Sequence, residues 1–184
     1  MRSFSLFLVV FSLASAACND SNDLPDATIE NVERTDTLWA LIGTPVSTPS
    51  GFSIEGSRRV RTDLSVDFDF AYNIQADGQP VFLPRAGLGI DTANTVNPGF
   101  VPQEESFEAI TTPPGDGYVT ETPVPIAPGQ RYVVRSRVTC SAGVPKYAKM
   151  EILGFDDALR IVTFRVLVND NCGFRSLEPG LPDQ

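Results

Sequence analysis

The sequence contains no histidine, which removes the commonest general base, proton shuttle and metal-ligating side chain at once. No serine can then be paired with an imidazole, and neither internal cysteine has a base beside it. A nucleophile, base and orienter do not assemble, so the chain reads as a non-enzyme. Basic stripes are missing too. Lys and Arg number 14 against 23 Asp and Glu, a formal charge of −9; a phosphate backbone is repelled, and nucleic acid is excluded as a partner. No apolar run approaches the roughly 20 residues of a membrane helix. Nor does any helical period run long enough to cover a sheet.

What is present is a composition of 42% hydrophobic and 20% charged residues over 184 positions, enough for one core. The first residues read as an address. Arg2 is followed by the apolar run Phe4 to Leu13, then by Ala14-Ser15-Ala16-Ala17 and Cys18. This predicts a signal peptide over 1–17. The cysteine after small residues resembles a bacterial lipobox, with Ser15 where that pattern carries Leu, and predicts lipidation of Cys18. The alternative is ordinary cleavage after Ala17, leaving a free thiol. Loss of Arg2 shifts the formal charge from −9 to −10. Of three cysteines, lipidation of Cys18 leaves Cys140 and Cys172 as an even pair in an oxidising compartment. The expected partners are a membrane, through the lipid anchor, and a surface receptor or small ligand; the expected location is the outer membrane or cell surface.

Residues 18–36 are polar and acidic, as in a tether, and a single β domain is expected over 37–184. Thr37 to Ile42 reads as its first strand, with Trp39 as a core anchor. Asp67 to Ile74 alternates: Phe68, Phe70, Tyr72 and Ile74 on one face, Asp67, Asp69, Ala71 and Asn73 on a solvated one. Gln75 to Gln130, rich in Pro, Gly, Asp and Thr, predicts long loops with one or two helical turns over Glu104 to Ile110, stopped by Pro113-Pro114. Arg131 to Cys140, Lys146 to Phe155 and Leu159 to Val168 read as a three-strand antiparallel meander. The fold class is therefore mostly β, an antiparallel sandwich-like domain with long loops and a C-terminal meander. The strand order brings Cys140 and Cys172 to one edge, about two strand spacings apart, so Asn169 to Asn171 must fold inward for a disulfide to close.

Few residues offer chemistry. Asp67 and Asp69 are placed as a glycosidase pair would be, but alternate with aromatics as a strand face does. Gly87-Leu88-Gly89 lacks the third glycine of a dinucleotide loop. Asn169-Asp170-Asn171 begins like a calcium loop and lacks its distal glutamate. Arg58, Arg59 and Arg61 form a small basic cluster, either an anion site or a charged edge strand. No metal site is assigned.

Asp67-Phe68-Asp69-Phe70-Ala71-Tyr72, Gly117-Tyr118-Val119-Thr120, Tyr132-Val133-Val134-Arg135, Tyr147-Ala148-Lys149-Met150-Glu151 and Ile161-Val162-Thr163-Phe164-Arg165-Val166 together resemble the HmuY-like haem-binding lipoproteins. The likeness covers most of Asp67 to Val168. It implies a sandwich-like domain holding a ligand in loops at one end. The family pattern places the axial iron ligands between the Gly-Tyr segment and the strand ending in Val-Arg; here that interval, Glu121 to Tyr132, has no His, Met or Cys. Met150 is read as core. No cofactor is assigned, and haem enters only through the resemblance. The leading expectation is a non-catalytic binding domain whose ligand is not axially held haem. The alternatives are a haem- or porphyrin-binding protein using Tyr118, Tyr132 or Tyr147, and a structural envelope lipoprotein.

Overall fold

The computed structural model describes residues 26–90 and 96–182. Residues 1–17, expected as a signal peptide, and Cys18, expected to be lipidated, lie outside the described residues. Ten strands form: β1 Glu33–Trp39, β2 Gly51–Ser53, β3 Arg58–Val60, β4 Phe70–Ile74, β5 Pro80–Pro84, β6 Gly99–Gln103, β7 Val124–Pro125, β8 Arg131–Val138, β9 Pro145–Asp156 and β10 Ile161–Asn169. They make two five-stranded sheets, ordered β1-β10-β9-β8-β6 and β3-β2-β4-β5-β7, and among the described residues every strand pair is antiparallel. Among the described residues no helix is long and apolar enough to cross a membrane.

The main core draws on both sheets. Phe52, Phe70, Tyr72 and Phe82 come from the second sheet, and Phe100, Tyr132, Met150 and Phe164 from the first. The rings meet edge-on, tilted or stacked; Phe70 and Phe82 are 4.8 Å apart and Phe82 and Phe100 5.3 Å. Each buried phenylalanine contributes roughly 1.5–3 kcal/mol of transfer free energy. Period-two alternation sends Ala148, Met150 and Ile152 of β9 into this core, while Tyr147, Lys149 and Glu151 take the opposite face. That outer face is covered as well. Phe107 and Ile110, with Leu177 of the C-terminal tail, pack on Val133 and Leu167.

Several expectations are corrected. The ordered chain starts before Thr37, because Glu33 to Asp36 pair with β10 and Asn31 bridges to Gly180. Asn171 Nδ2 donates to Ile29 O, and its Oδ1 accepts from the Thr28 and Ile29 N–H groups. These bonds give even Thr28, Ile29 and Asn31 fixed partners. Trp39 is only half-buried: Leu38 and Ala40 take the core side of β1. Glu104 to Ile110 makes one hydrogen-bonded turn, Ala109 and Ile110 both donating to Ser106 O, and no helix. The stretch expected to hold long loops does carry them, with residues 104–123 free of helix and strand, but it also contributes β5, β6 and β7 to the sheets. Pro102 and Pro125 sit on β6 and β7, which are edge strands, where a missing N–H is tolerated.

Asp69 is the largest departure. It lies just before β4 and is fully buried, whereas Asp67 is exposed as expected. The strand has cover on both sides: Phe70 and Tyr72 enter the main core, while Ala71 joins Val60 and Phe68 in a separate cluster. The Asp69 carboxylate accepts from the Ile54 and Arg137 backbone N–H groups, both at 2.7 Å, and faces the Arg137 guanidinium at 3.3 Å. Burial pushes this carboxyl upward, against the pull of Arg137 and the two N–H donors.

Cys140 and Cys172 form a disulfide with Cα atoms 5.6 Å apart. They close the end at which β8, β9 and β10 approach Lys146 and Asp170, themselves paired at 3.1 Å. Asn171 N–H donates to Asn169 Oδ1, turning the chain inward there. Arg58 and Arg59 lie on β3, the edge of the second sheet, with Arg59 paired to Asp36 and Arg61 to Asp63. This is the charged-edge alternative for that cluster.

Candidate functional site

The three tyrosines singled out by the sequence separate into two environments. Tyr132 points into the main core, 5.9 Å from the Phe100 ring, and its hydroxyl reaches Pro125 O and Gln130 Oε1, each at 2.7 Å. Tyr118 and Tyr147 meet on the outer face of the first sheet, ring centroids 6.5 Å apart. Strand register places Tyr147 opposite Arg135, and the close approach of Tyr118 depends on Gly99. A Cβ there would meet Val119 O at 2.8 Å and Tyr118 Cβ at 3.0 Å. The bare backbone of Gly99 lets residues 118–120 lie against β6, where Phe100 and Val119 exchange hydrogen bonds.

Two arginines complete the cluster, and sequence reasoning missed both as site residues. The Arg135 guanidinium lies 4.3 Å from the Tyr118 centroid and that of Arg175 5.0 Å from the Tyr147 centroid, within cation–π range. Arg135 donates from Nε and Nη2 to Asn97 O. Arg175 donates to Tyr147 Oη, Pro113 O and Pro114 O, and the Tyr118 hydroxyl donates to Pro114 O. The neighbouring cations on this face are compensated or covered. Arg165 pairs with Glu151, Glu108 and Glu33, while Lys149 lies buried beneath Phe107 and donates to Ile110 O. Arg135 was visible as the end of Tyr132-Val133-Val134-Arg135. No periodic signal pointed to Arg175, which lies past the last strand.

The interval expected to carry haem ligands folds as a short strap. Val124 and Pro125 pair with Phe82 and Val81, Ile126 is buried, and Gly129 N–H donates to Ile152 O. Beside it Pro102, Gln103, Gly129, Gln130, Arg131 and Tyr132 line a hollow of 210 Å³, below the roughly 300–1,000 Å³ of small-molecule sites. Met150 is fully buried in the core. Burial pushes the phenols of Tyr118 and Tyr132 up to about 12, which disfavours the phenolate that iron would need. Met150 and the Tyr118 and Tyr132 phenols do not fit axial ligation of haem, and the Tyr147 hydroxyl oxygen already accepts from Arg175. Among the described residues, no three His, Cys, Asp or Glu side chains group as a metal site.

What the Tyr118–Tyr147 cluster offers instead is an aromatic surface flanked by fixed cations. No family model, curated protein or solved structure matches this chain.

Proposed function

We propose that the protein is an exported surface or outer-membrane lipoprotein, anchored through Cys18, whose mature part is a HmuY-like, sandwich-like domain that binds a ligand without catalysis and without axial haem ligation. The carrying observation is the meeting of Tyr118 and Tyr147 at 6.5 Å, flanked by Arg135 and Arg175, on the outer face of the first sheet, where the tyrosines are half-buried and Arg175 is exposed. Two of the segments that carry the family resemblance thus converge on one spot, each contributing a tyrosine. The main core filled from both sheets supports a sandwich-like arrangement, and β8, β9 and β10 pairing in chain order supports a C-terminal meander.

Anchoring is tested by metabolic labelling with a fatty-acid probe. Wild type takes up the label and stays with membranes, whereas Cys18→Ser is unlabelled and soluble. An unlabelled, membrane-free wild type would overturn the anchoring part of the proposal.

A further inference from the structure

We infer that Arg135 and Arg175 form a clamp for the carboxylate of an acidic sugar residue, whose ring lies against Tyr118 and Tyr147. The inference rests on the binding role proposed above and adds the ligand class.

Charge bookkeeping selects this pair. The chain carries 23 acidic residues and a formal charge of −9, and carboxylates elsewhere on the same face engage Arg131 and Arg165. Arg135 and Arg175 have no carboxylate within ion-pair distance among the described residues. Instead, backbone carbonyls and one phenol orient them. Neutral acceptors fix a guanidinium in place without cancelling its charge, so the cation remains available to an incoming anion.

Donor counting gives the same result. A guanidinium has five N–H donors. Among the described residues Arg135 spends two of them on Asn97 O, leaving three. Arg175 spends three on Tyr147, Pro113 and Pro114, leaving two. The free donors sit beside aromatic rings already held in place, so little side-chain freedom remains to be lost on binding. A saccharide carboxylate meets both demands: its oxygens accept from the arginines, and its C–H face lies on a tyrosine ring.

The test is calorimetric titration of the mature protein with sialyllactose against lactose, and with galacturonate oligomers against their methyl esters. The expected result is binding of the acidic members, weakened by added salt, and weakened about tenfold or more in Arg135→Gln and in Arg175→Gln. Because Arg175 also holds the tail, each variant's thermal midpoint is recorded. Tyr147→Phe, which removes only the hydroxyl bonded to Arg175, serves as a second variant expected to bind less tightly. Equal binding of the neutral members would overturn the carboxylate clamp while leaving a binding role at this face intact. Loss of acidic-sugar binding in neither arginine variant would place the site elsewhere and overturn the inference. An absence of heat with every saccharide would overturn the ligand class and with it the inference.

Discussion

The Asp69 carboxylate and the Arg137 guanidinium face each other at 3.3 Å across the two sheets, one on the chain entering β4 and the other on β8. Asp69 is fully buried, and the Arg137 side chain is 10% exposed. A second carboxylate, Glu55, approaches Arg137 at 3.6 Å and Lys146 at 3.8 Å from the solvent side. Removing Asp69 leaves the mostly buried Arg137 with only the more distant Glu55 as a carboxylate partner among the described residues and strands two buried backbone N–H groups. Asp69→Ala is expected to cost about 3–5 kcal/mol, read as a lower urea midpoint with an unchanged slope. Asp69→Asn, which retains an acceptor oxygen, is expected to cost less. Equal stability of wild type and the alanine variant would show that this pair does not hold the sheets together.

Reduction of Cys140–Cys172 releases a loop with a sequence separation of 32, and the chain-entropy relation assigns its closure about 3–4 kcal/mol. Unreduced mature protein is therefore expected to show no alkylatable internal thiol by mass spectrometry, and Cys140→Ser/Cys172→Ser to melt lower. Two free thiols in native oxidised material would contradict the pairing.

Tyrosine ionisation gives a pH-dependent test. Burial pushes the phenols of Tyr72, Tyr118 and Tyr132 up to about 12. For an acid whose folded pKa is raised, the unfolded chain loses its proton first. Stability is thus fully present below about pH 10 and falls as pH rises from there toward about 12. The ultraviolet phenolate band of these three residues should therefore lag the unfolded protein across that window. Coincident titration of folded and unfolded chains would contradict the burial assigned here.

Gly99→Ala tests how Tyr118 is positioned. The added Cβ meets backbone and side-chain atoms of residues 118–120 at 2.8–3.0 Å, so the segment must shift. The expected cost is about 1–3 kcal/mol, with one phenol returning toward the ordinary tyrosine range as Tyr118 is exposed. An unchanged titration would mean that the segment tolerates the methyl group in place.

The strands that alternate cleanly were legible in the sequence because one face of each is core. Met150, Phe164 and Val166 repeat at period two and lie where that period puts them. Asp69 escaped because its partner Arg137 is 68 residues away, and local alternation assigns an aspartate to solvent by default. Trp39 escaped for a related reason: size suggested core, but the pleat gave the core to Leu38 and Ala40. Short edge strands such as β6 and β7 carry prolines that read as loop. Half of the candidate site was visible as the Tyr118 and Tyr147 segments. Arg135 stood in a quoted segment without being marked as a site residue, and Arg175 reaches the site only through the fold of the C-terminal tail.

The most direct test of the central claim is titration of the purified mature protein with haemin, followed in the Soret band. With no histidine in the chain, Met150 in the core and the phenols of Tyr118 and Tyr132 held protonated, the account predicts no sharp, stoichiometric shift. A clear six-coordinate spectrum at one equivalent would contradict it, showing that this domain binds haem through axial ligands.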